Sequence, residues 1–200
     1  MTWSRVLVIG TGNHGKLREI RNILGDLPWV VSSLHEYPSV TSPEELGATY
    51  ADNARLKASY YASTLSQWVL ADDSGLEVDA LNGAPGLFSA RYAGDGASDS
   101  DRRQVLLSEL HATSAKVHTA RFVCAVAIAR PNGEIATIAE GICLGTITQQ
   151  ERGLGGFGYD PLFRPDGYDQ TFAELSEQVK NVISHRARAL STAREFLLQC

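Results

Sequence analysis

RVLVIGTGNHGKLREIRNIL, residues 5–24, sets the fold class. Residues 6–9 are apolar without alternation, the pattern of a strand buried on both faces. Glycines at 10, 12 and 15 break that run. Asn13 stands where a helix N-cap is wanted, and Leu17, Ile20 and Leu24 then recur at helical spacing, with Lys16 and Arg18 expected to point outward. A buried strand turning directly into an amphipathic helix is the opening of an α/β fold.

Working outward, residues 29–34 read as a second strand. Ala51, Ala54, Ala58, Tyr61, Ala62 and Leu65 mark one face of a long second helix. Residues 68–71 read as a third strand and residues 76–81 as a short fourth one. Ser98 and Asp101 form a capping box ahead of Leu106, Leu107 and Leu110. Two apolar stretches, residues 121–129 and 134–144, flank Pro131-Asn132-Gly133, a hairpin signal. Ser184 is expected to cap a final helix that turns Ala187, Leu190 and Leu197 inward. Strands alternate with helices early and a hairpin follows, which predicts an α/β domain with a mixed sheet spanning residues 1–200 as one domain.

Composition bounds the function. The chain has 200 residues, 44% hydrophobic and 20% charged, values ordinary for a globular protein with a substantial core. A net charge of −5 argues against a general nucleic-acid binder, although lysines and a metal can reverse the sign within one pocket. Cys124, Cys143 and Cys200 lack CxxC spacing, so neither a disulfide framework nor a cysteine metal site is expected, and the reading is a reducing cytoplasm. The N-terminal apolar run is too short for a signal peptide, and residues 122–129 are too few to cross a membrane.

Residues 10–15, GTGNHG, match GxGxxG in the strand-to-helix context of a dinucleotide fingerprint. The acidic residue that should follow near the end of the second strand has only Glu36 as a candidate, and it lies late. Residues 10–16 also fit GxxxxGK, but Leu17 stands where a P-loop needs Ser or Thr. A plain turn and helix cap is the third reading. All three share one physical feature: free N–H groups at a helix N-terminus beside Lys16 can hold an anion.

The most informative chemistry lies in ADDSGLEVDALNGAPGLFSARYAG, residues 71–94. Asp72 and Asp73 end an apolar run and are expected to open a Gly-rich loop at a strand's carboxyl end, where ligands sit in α/β sheets. Paired carboxylates suit Mg²⁺, a hard cation that bridges to phosphates. Glu44 and Glu45 precede the second helix, and Asn53 and Lys57, four apart, share one of its faces. GGFGYDP, residues 155–161, sets two aromatics and a carboxylate in a glycine loop. Lys180 and Ser184-His185-Arg186 stand at the final helix.

Taken in order, TGNHGK, EE…N…LKA, ADDSGLEVDAL…APG…SARYAG, GGFGYDPLF, TFAEL and K…ISHRARAL closely resemble the non-canonical purine nucleoside triphosphate pyrophosphatase family, which includes inosine and xanthosine triphosphate pyrophosphatases. The resemblance runs from residue 6 to residue 190. It implies a single elongated α/β domain whose long mixed central sheet carries two lobes flanking a substrate cleft, assembled as a homodimer. It implies Mg²⁺-dependent hydrolysis of (d)ITP and XTP to the monophosphate and pyrophosphate, cleansing the nucleotide pool.

The resemblance also assigns roles. Asp73 corresponds to the catalytic and metal-site carboxylate and Glu45 to the second metal carboxylate. Asp72, on the opposite face of the strand, supports either the loop or the metal. Lys16 and Lys57 would neutralise the triphosphate. Thr11, Gly12, Asn13, His14 and Gly15 would surround the same phosphates, with simple turn geometry as the alternative for the glycines. Ser74 matches a substrate-contacting position. Phe157 would stack on the purine, and Gly158 and Tyr159 would line its pocket, with core packing as the alternative for the aromatics; Asp160 would either contact the base or fix the loop. Lys180, His185 and Arg186 match base-reading residues. Arg91 is read as an intramolecular clamp outside the site. One departure is Val179, where the family often has an acidic residue before the lysine.

Three rival functions are weighed. A nicotinamide-dependent oxidoreductase built on the GTGNHG turn leaves the acid pair, Glu45 and Lys57 unexplained. A non-catalytic nucleotide sensor has no need of intact metal carboxylates. A house-cleaning pyrophosphatase for modified pyrimidine triphosphates differs in substrate alone.

Overall fold

In the computed structural model, residues 5–200 are described. Arg5–Ile9 forms strand β1, with Leu7, Val8 and Ile9 fully buried, and the chain turns at once into helix α1, His14–Leu24. Strand β2, Trp29–Ser33, pairs parallel with β1, with Leu7 opposite Val31. Helix α2, Tyr50–Leu65, follows a long loop and ends on Ser66 in the left-handed conformation. Strand β3, Trp68–Val78, pairs parallel with β1 through Trp68, Val69 and Leu70. After helix α3, Asp99–His111, come the long strands β4, Thr119–Ala129, and β5, Ile135–Ile147, joined by the expected turn, with Gly133 at φ 85°. Short strand β6, Phe163–Pro165, pairs antiparallel with β5, and helices α4, Glu177–Ile183, and α5, His185–Gln199, complete the chain. The sheet order is β2-β1-β3-β4-β5-β6. Parallel pairs at one end and an antiparallel pair at the other make it the mixed sheet of an α/β fold.

The helix starts follow from local chemistry. Asn13 accepts the Lys16 N–H at 3.0 Å and caps α1. Ser98 and Asp101 exchange side-chain and backbone bonds in the expected capping box of α3.

The strand around the acid pair corrects the reading from sequence. Residues 72–75 are not a loop, and residues 76–81 do not start a new strand: β3 runs unbroken through Asp72, Asp73, Ser74 and Gly75 to Val78, and residues 79–81 form a turn of 3₁₀ helix. On one side β3 loses its partner when β1 ends, but β4 remains its neighbour on the other. The two carboxylates tolerate burial within a strand because each meets cations or donors brought from elsewhere in the chain.

The fold divides into two compact units. The first holds residues 5–73, Cys124–Gly141 and Arg186–Cys200. Its core packs Leu7, Ile9, Leu17, Ile20, Leu24 and Leu70 with Val126, Ile128, Leu190 and Leu197. Truncating one such fully buried side chain, for example Ile20→Ala, costs roughly 2–5 kcal/mol. The second unit holds Ser74–Val123 and Ile142–His185. Its core gathers Leu76, Leu106 and Leu110 around Phe122, Phe163 and Phe172, with the Phe122 and Phe163 ring centroids 4.7 Å apart. Among the described residues no helix is long and apolar enough to cross a membrane.

Candidate functional site

In the first unit, the chain leaving β1 stays tied to β3 through Gly10 N–H donating to Leu70 O at 2.7 Å. A Cβ at Gly10 would come within 3.1 Å of Ala71, Tyr61 and Val69, so the glycine permits this close approach. Thr11 Oγ1 accepts the Asn13 N–H at 3.2 Å, while Gly12, Asn13 and His14 are exposed. The His14 ring stacks on His35 at 4.7 Å. The first turn of α1 carries no acidic residue to offset its positive end.

Lys16 does not point outward as expected. It reaches back over the turn and pairs with Asp72 Oδ2 at 3.2 Å. The same oxygen receives Arg186 Nε at 3.2 Å, and the guanidinium also pairs with Glu19 of α1. Burial alone would push the Asp72 carboxyl up, but Lys16 and Arg186 hold it well below the usual carboxylate range. Cys124 lies beside this group, its thiol pushed up to about 12 by burial and by Asp72. It behaves as an inert small hydrophobe.

Asp73 faces a different set of partners. Its Oδ1 lies 3.0 Å from Lys57 Nζ, and its Oδ2 accepts Asn53 Nδ2 at 3.1 Å. Lys57 Nζ also donates to Glu45 Oε1 at 2.8 Å. Burial favours the neutral amine, yet Asp73, Asp72 and Glu45 raise the Lys57 pKa, so it remains an ammonium at neutral pH. Glu45 and Asp73 thus converge on a single cationic centre, and both supply the hard oxygen donors that Mg²⁺ takes. Among the described residues no cluster of three or more His, Cys, Asp or Glu forms a metal cage. Two carboxylates completed by water and phosphate oxygens is the usual Mg²⁺ arrangement, so the residues present fit the ion.

The second unit carries the remaining candidates. Ser74 is half-buried on β3. Asp160 is buried, accepts the Phe157 N–H at 2.8 Å and pairs with Lys180. Lys180 Nζ lies 4.9 Å from the Phe157 ring centroid and 5.4 Å from that of Phe172. Gly158, at φ 59°, is held from both sides by α3: its N–H donates to Asp99 Oδ2 at 2.7 Å and its carbonyl accepts Arg103 Nη1 at 2.8 Å. Tyr159 is a core residue, its hydroxyl donating to Ser89 O at 2.9 Å. The buried His185 ring stacks on Phe122 at 4.6 Å. Arg186, grouped in sequence with His185, instead commits its guanidinium to Asp72 and Glu19 in the first unit. Arg91 is exposed, over the Phe88 ring.

Sequence reasoning left Glu19, Asp99 and Arg103 out of the site, and it placed Asn53 beside Lys57 without giving it a role. A polar residue on an otherwise alanine-rich helix face was a legible signal for Asn53. Nothing local distinguishes Glu19, Asp99 or Arg103 from solvated helix positions.

Fold and charge pattern define a class: an α/β protein that gathers lysines and carboxylates where its first strand ends and its first helix begins. Residues 7–196 match the model of the Ham1 family, and the chain belongs to that family. It is 51% identical over 191 residues to the dITP/XTP pyrophosphatase of Desulforamulus reducens, covering 96% of this chain and 94% of that one. The HAM1 protein of Coxiella burnetii superimposes with a TM-score of 0.89 at 40% identity, covering 98% of this chain and all of the other (100%). The Staphylococcus aureus Ham1 protein gives 0.83 at 40% identity over 96% and 98% of the two chains.

Proposed function

We propose that this chain is a nucleoside triphosphate pyrophosphatase that hydrolyses dITP, ITP and XTP to the monophosphate and pyrophosphate, with Mg²⁺ as its cofactor. The observation that carries this reading is the Lys57 ammonium, 2.8 Å from Glu45 and 3.0 Å from Asp73. It marks a point where two acidic side chains accept a cation beside a lysine-bearing anion site. Relatives named dITP/XTP pyrophosphatase support the substrate class. A nicotinamide enzyme has no use for this arrangement, and the pyrophosphatase names of the relatives speak against a passive sensor.

Glu45 and Asp73 would hold the metal, which when bound supplies Lewis-acid polarisation of the phosphoryl oxygens. Lys16 and Lys57 offset the triphosphate charge, and the exposed turn at residues 12–14 offers N–H groups to the same oxygens. Asp73 accepts a hydrogen bond from the attacking water and aims its oxygen at the α-phosphorus. The water oxygen bonds to that phosphorus as the bond from the phosphorus to the α–β bridging oxygen breaks; the water's proton is released to solvent, and pyrophosphate leaves against the lysines.

Phe157, Asp160, Lys180 and His185 read the base in this proposal. Hypoxanthine and xanthine present a 6-oxo acceptor where adenine presents a donor. Donors aimed at position 6 leave adenine unpaired, a mismatch worth several powers of ten. Guanine shares the 6-oxo group, so its 2-amino group must be refused by a second donor. Arg186 holds Asp72 beside Lys16. The chain works as a cytoplasmic homodimer and takes a free nucleotide, not nucleic acid.

The test is incubation with Mg²⁺ and, separately, dITP, XTP, dATP and dGTP, with both products identified and Asp73→Asn run in parallel. Monophosphate and pyrophosphate from dITP and XTP alone, lost in the variant, is the expected result. A folded, Mg²⁺-loaded chain that turns over none of them would overturn the enzyme reading. Equal turnover of dGTP and XTP would overturn the account of position 2.

A further inference from the structure

Asn53 is 3% exposed in the first turn of α2. A buried amide must find partners for its polar atoms. Both ends of this one do. Its Oδ1 accepts the Gly47 N–H at 2.8 Å, and its Nδ2 donates to Asp73 Oδ2 at 3.1 Å. The amide orientation is forced: a backbone N–H can only donate, and an ionised carboxylate can only accept.

These two bonds join the acid on β3 to the loop that carries Glu45. Gly47 lies two residues beyond Glu45, and only glycine lets the loop come this near the helix. A Cβ there would stand 2.6 Å from Asn53 Oδ1 and 2.7 Å from Asp52 Cβ. Lys57, one helical turn on from Asn53, takes the other Asp73 oxygen at 3.0 Å. Asp73 is therefore gripped at both oxygens from one helix face, leaving its carboxylate plane little freedom to rotate. Alanine at position 53 would preserve helix packing but release the loop and one side of the carboxylate together.

We propose that Asn53 is a positioning residue for the reaction. Its amide sets the Asp73 carboxylate plane and tethers the Glu45 loop to it, so that the two acids converge on one cation. This rests on the reading of Glu45 and Asp73 as the metal carboxylates. A structural tether without this purpose would influence stability alone, so the decisive readout is metal affinity.

Mn²⁺ binding to nucleotide-free protein, followed by electron paramagnetic resonance, is compared for the native chain, Asn53→Ala, Asp73→Asn and Glu45→Gln. Steady-state rates are measured as Mg²⁺ and dITP are varied separately. Asn53→Ala should weaken Mn²⁺ at least tenfold and raise the Mg²⁺ needed for half-maximal rate by a similar factor. The KM for dITP at saturating Mg²⁺ should move less than threefold. If Asn53→Ala does not fold, Gly47→Ala, which keeps the amide but pushes the loop off it, should show the same metal defect. Native-like Mn²⁺ affinity in a folded position-53 or position-47 variant, with Asp73→Asn and Glu45→Gln impaired, would overturn the positioning role while leaving the metal site intact. Unaltered Mn²⁺ binding in Asp73→Asn and Glu45→Gln would overturn the metal reading and this inference with it.

Discussion

Arg186 Nε stands 3.2 Å from Asp72 Oδ2, and both residues are almost wholly buried, 2% and 1% exposed. With Glu19 at the other end of the guanidinium and Lys16 beside the same Asp72 oxygen, two cations and two anions close a neutral group inside the first unit. Burial alone would make the guanidinium easier to deprotonate, but Asp72 and Glu19 hold its pKa above the ordinary arginine value. The group links α5, α1 and β3 and fixes Lys16 in the first turn of α1, just after the turn proposed to receive phosphates.

Removing one member should cost more than the pair is worth, because it leaves charge buried without compensation. Arg186→Met takes the guanidinium from Glu19 and leaves Asp72 with Lys16 alone, and is expected to destabilise by about 3–5 kcal/mol. At roughly 2–4 °C per kcal/mol for a chain of this size, the melting temperature should fall by about 6–20 °C. Arg186→Met combined with Glu19→Gln should lose less than the sum of the single variants. An unaltered melt with relaxed purine selectivity would instead return Arg186 to the base-reading role that its neighbour in sequence suggests.

Asp72 gives stability a pH dependence whose sign follows from its depressed pKa. A carboxylate with a lower pKa folded than unfolded contributes fully above its unfolded value, about 4, and loses that contribution as pH falls toward the folded value. Denaturant melts of the native chain and Asp72→Asn should show their widest gap at neutral pH and a narrowing gap below about pH 4. A gap constant from neutral pH down to pH 3 would contradict this assignment.

Lys57 separates Glu45 from Asp73 as a cation should, and its removal exposes what the acids need. In Lys57→Met the two carboxylates face one another without a counter-charge. A cation that binds only the folded chain raises its stability by mass action. Mg²⁺ should therefore raise the melting temperature of the variant more than that of the native chain. With Lys57 offsetting triphosphate charge as proposed, turnover should fall about 100-fold. Equal Mg²⁺ effects on the two melts would mean that the acids do not share one cation.

How legible this was depended on the range of the interactions involved. The unit from β1 to α1, the Asn13 cap, the Ser98–Asp101 box and the Pro131–Gly133 turn rest on contacts within a few residues, and sequence sufficed. The continuous β3 did not read as such, because Asp72, Asp73 and Gly75 carry every local mark of a loop. What lets them run on as strand is distant: Lys16, 56 positions earlier, and Arg186, 114 positions later, pair with Asp72, while α2 supplies Asn53 and Lys57 to Asp73. The same range explains Lys16. Helical periodicity placed it outward, and only the position of Asp72 draws it in. Local pattern reports which face a residue occupies, whereas a buried ion pair is decided by which two faces meet.

Two glycines separate a ligand's demands from those of the fold. A Cβ at Gly12 would meet nothing within 4 Å, and its φ is not in the left-handed region, so Gly12→Ala should melt like the native chain. If that turn receives phosphates by close backbone approach, the added methyl should raise the KM for dITP at least tenfold and leave the melt alone. Gly156 is the contrasting case. It sits at φ 72°, and a Cβ there would strike the Asp160 carboxylate, which holds both the Phe157 N–H and Lys180. Gly156→Ala should therefore displace Asp160 and Lys180 together and weaken discrimination against dATP. Its Mn²⁺ affinity should stay native, because Glu45, Asp73 and Lys57 belong to the first unit. Steady-state comparison of dITP with dATP, beside a Mn²⁺ titration of each variant, distinguishes the outcomes. An unchanged KM in Gly12→Ala would remove the turn from phosphate binding and leave Lys16 and Lys57 to carry that charge between them.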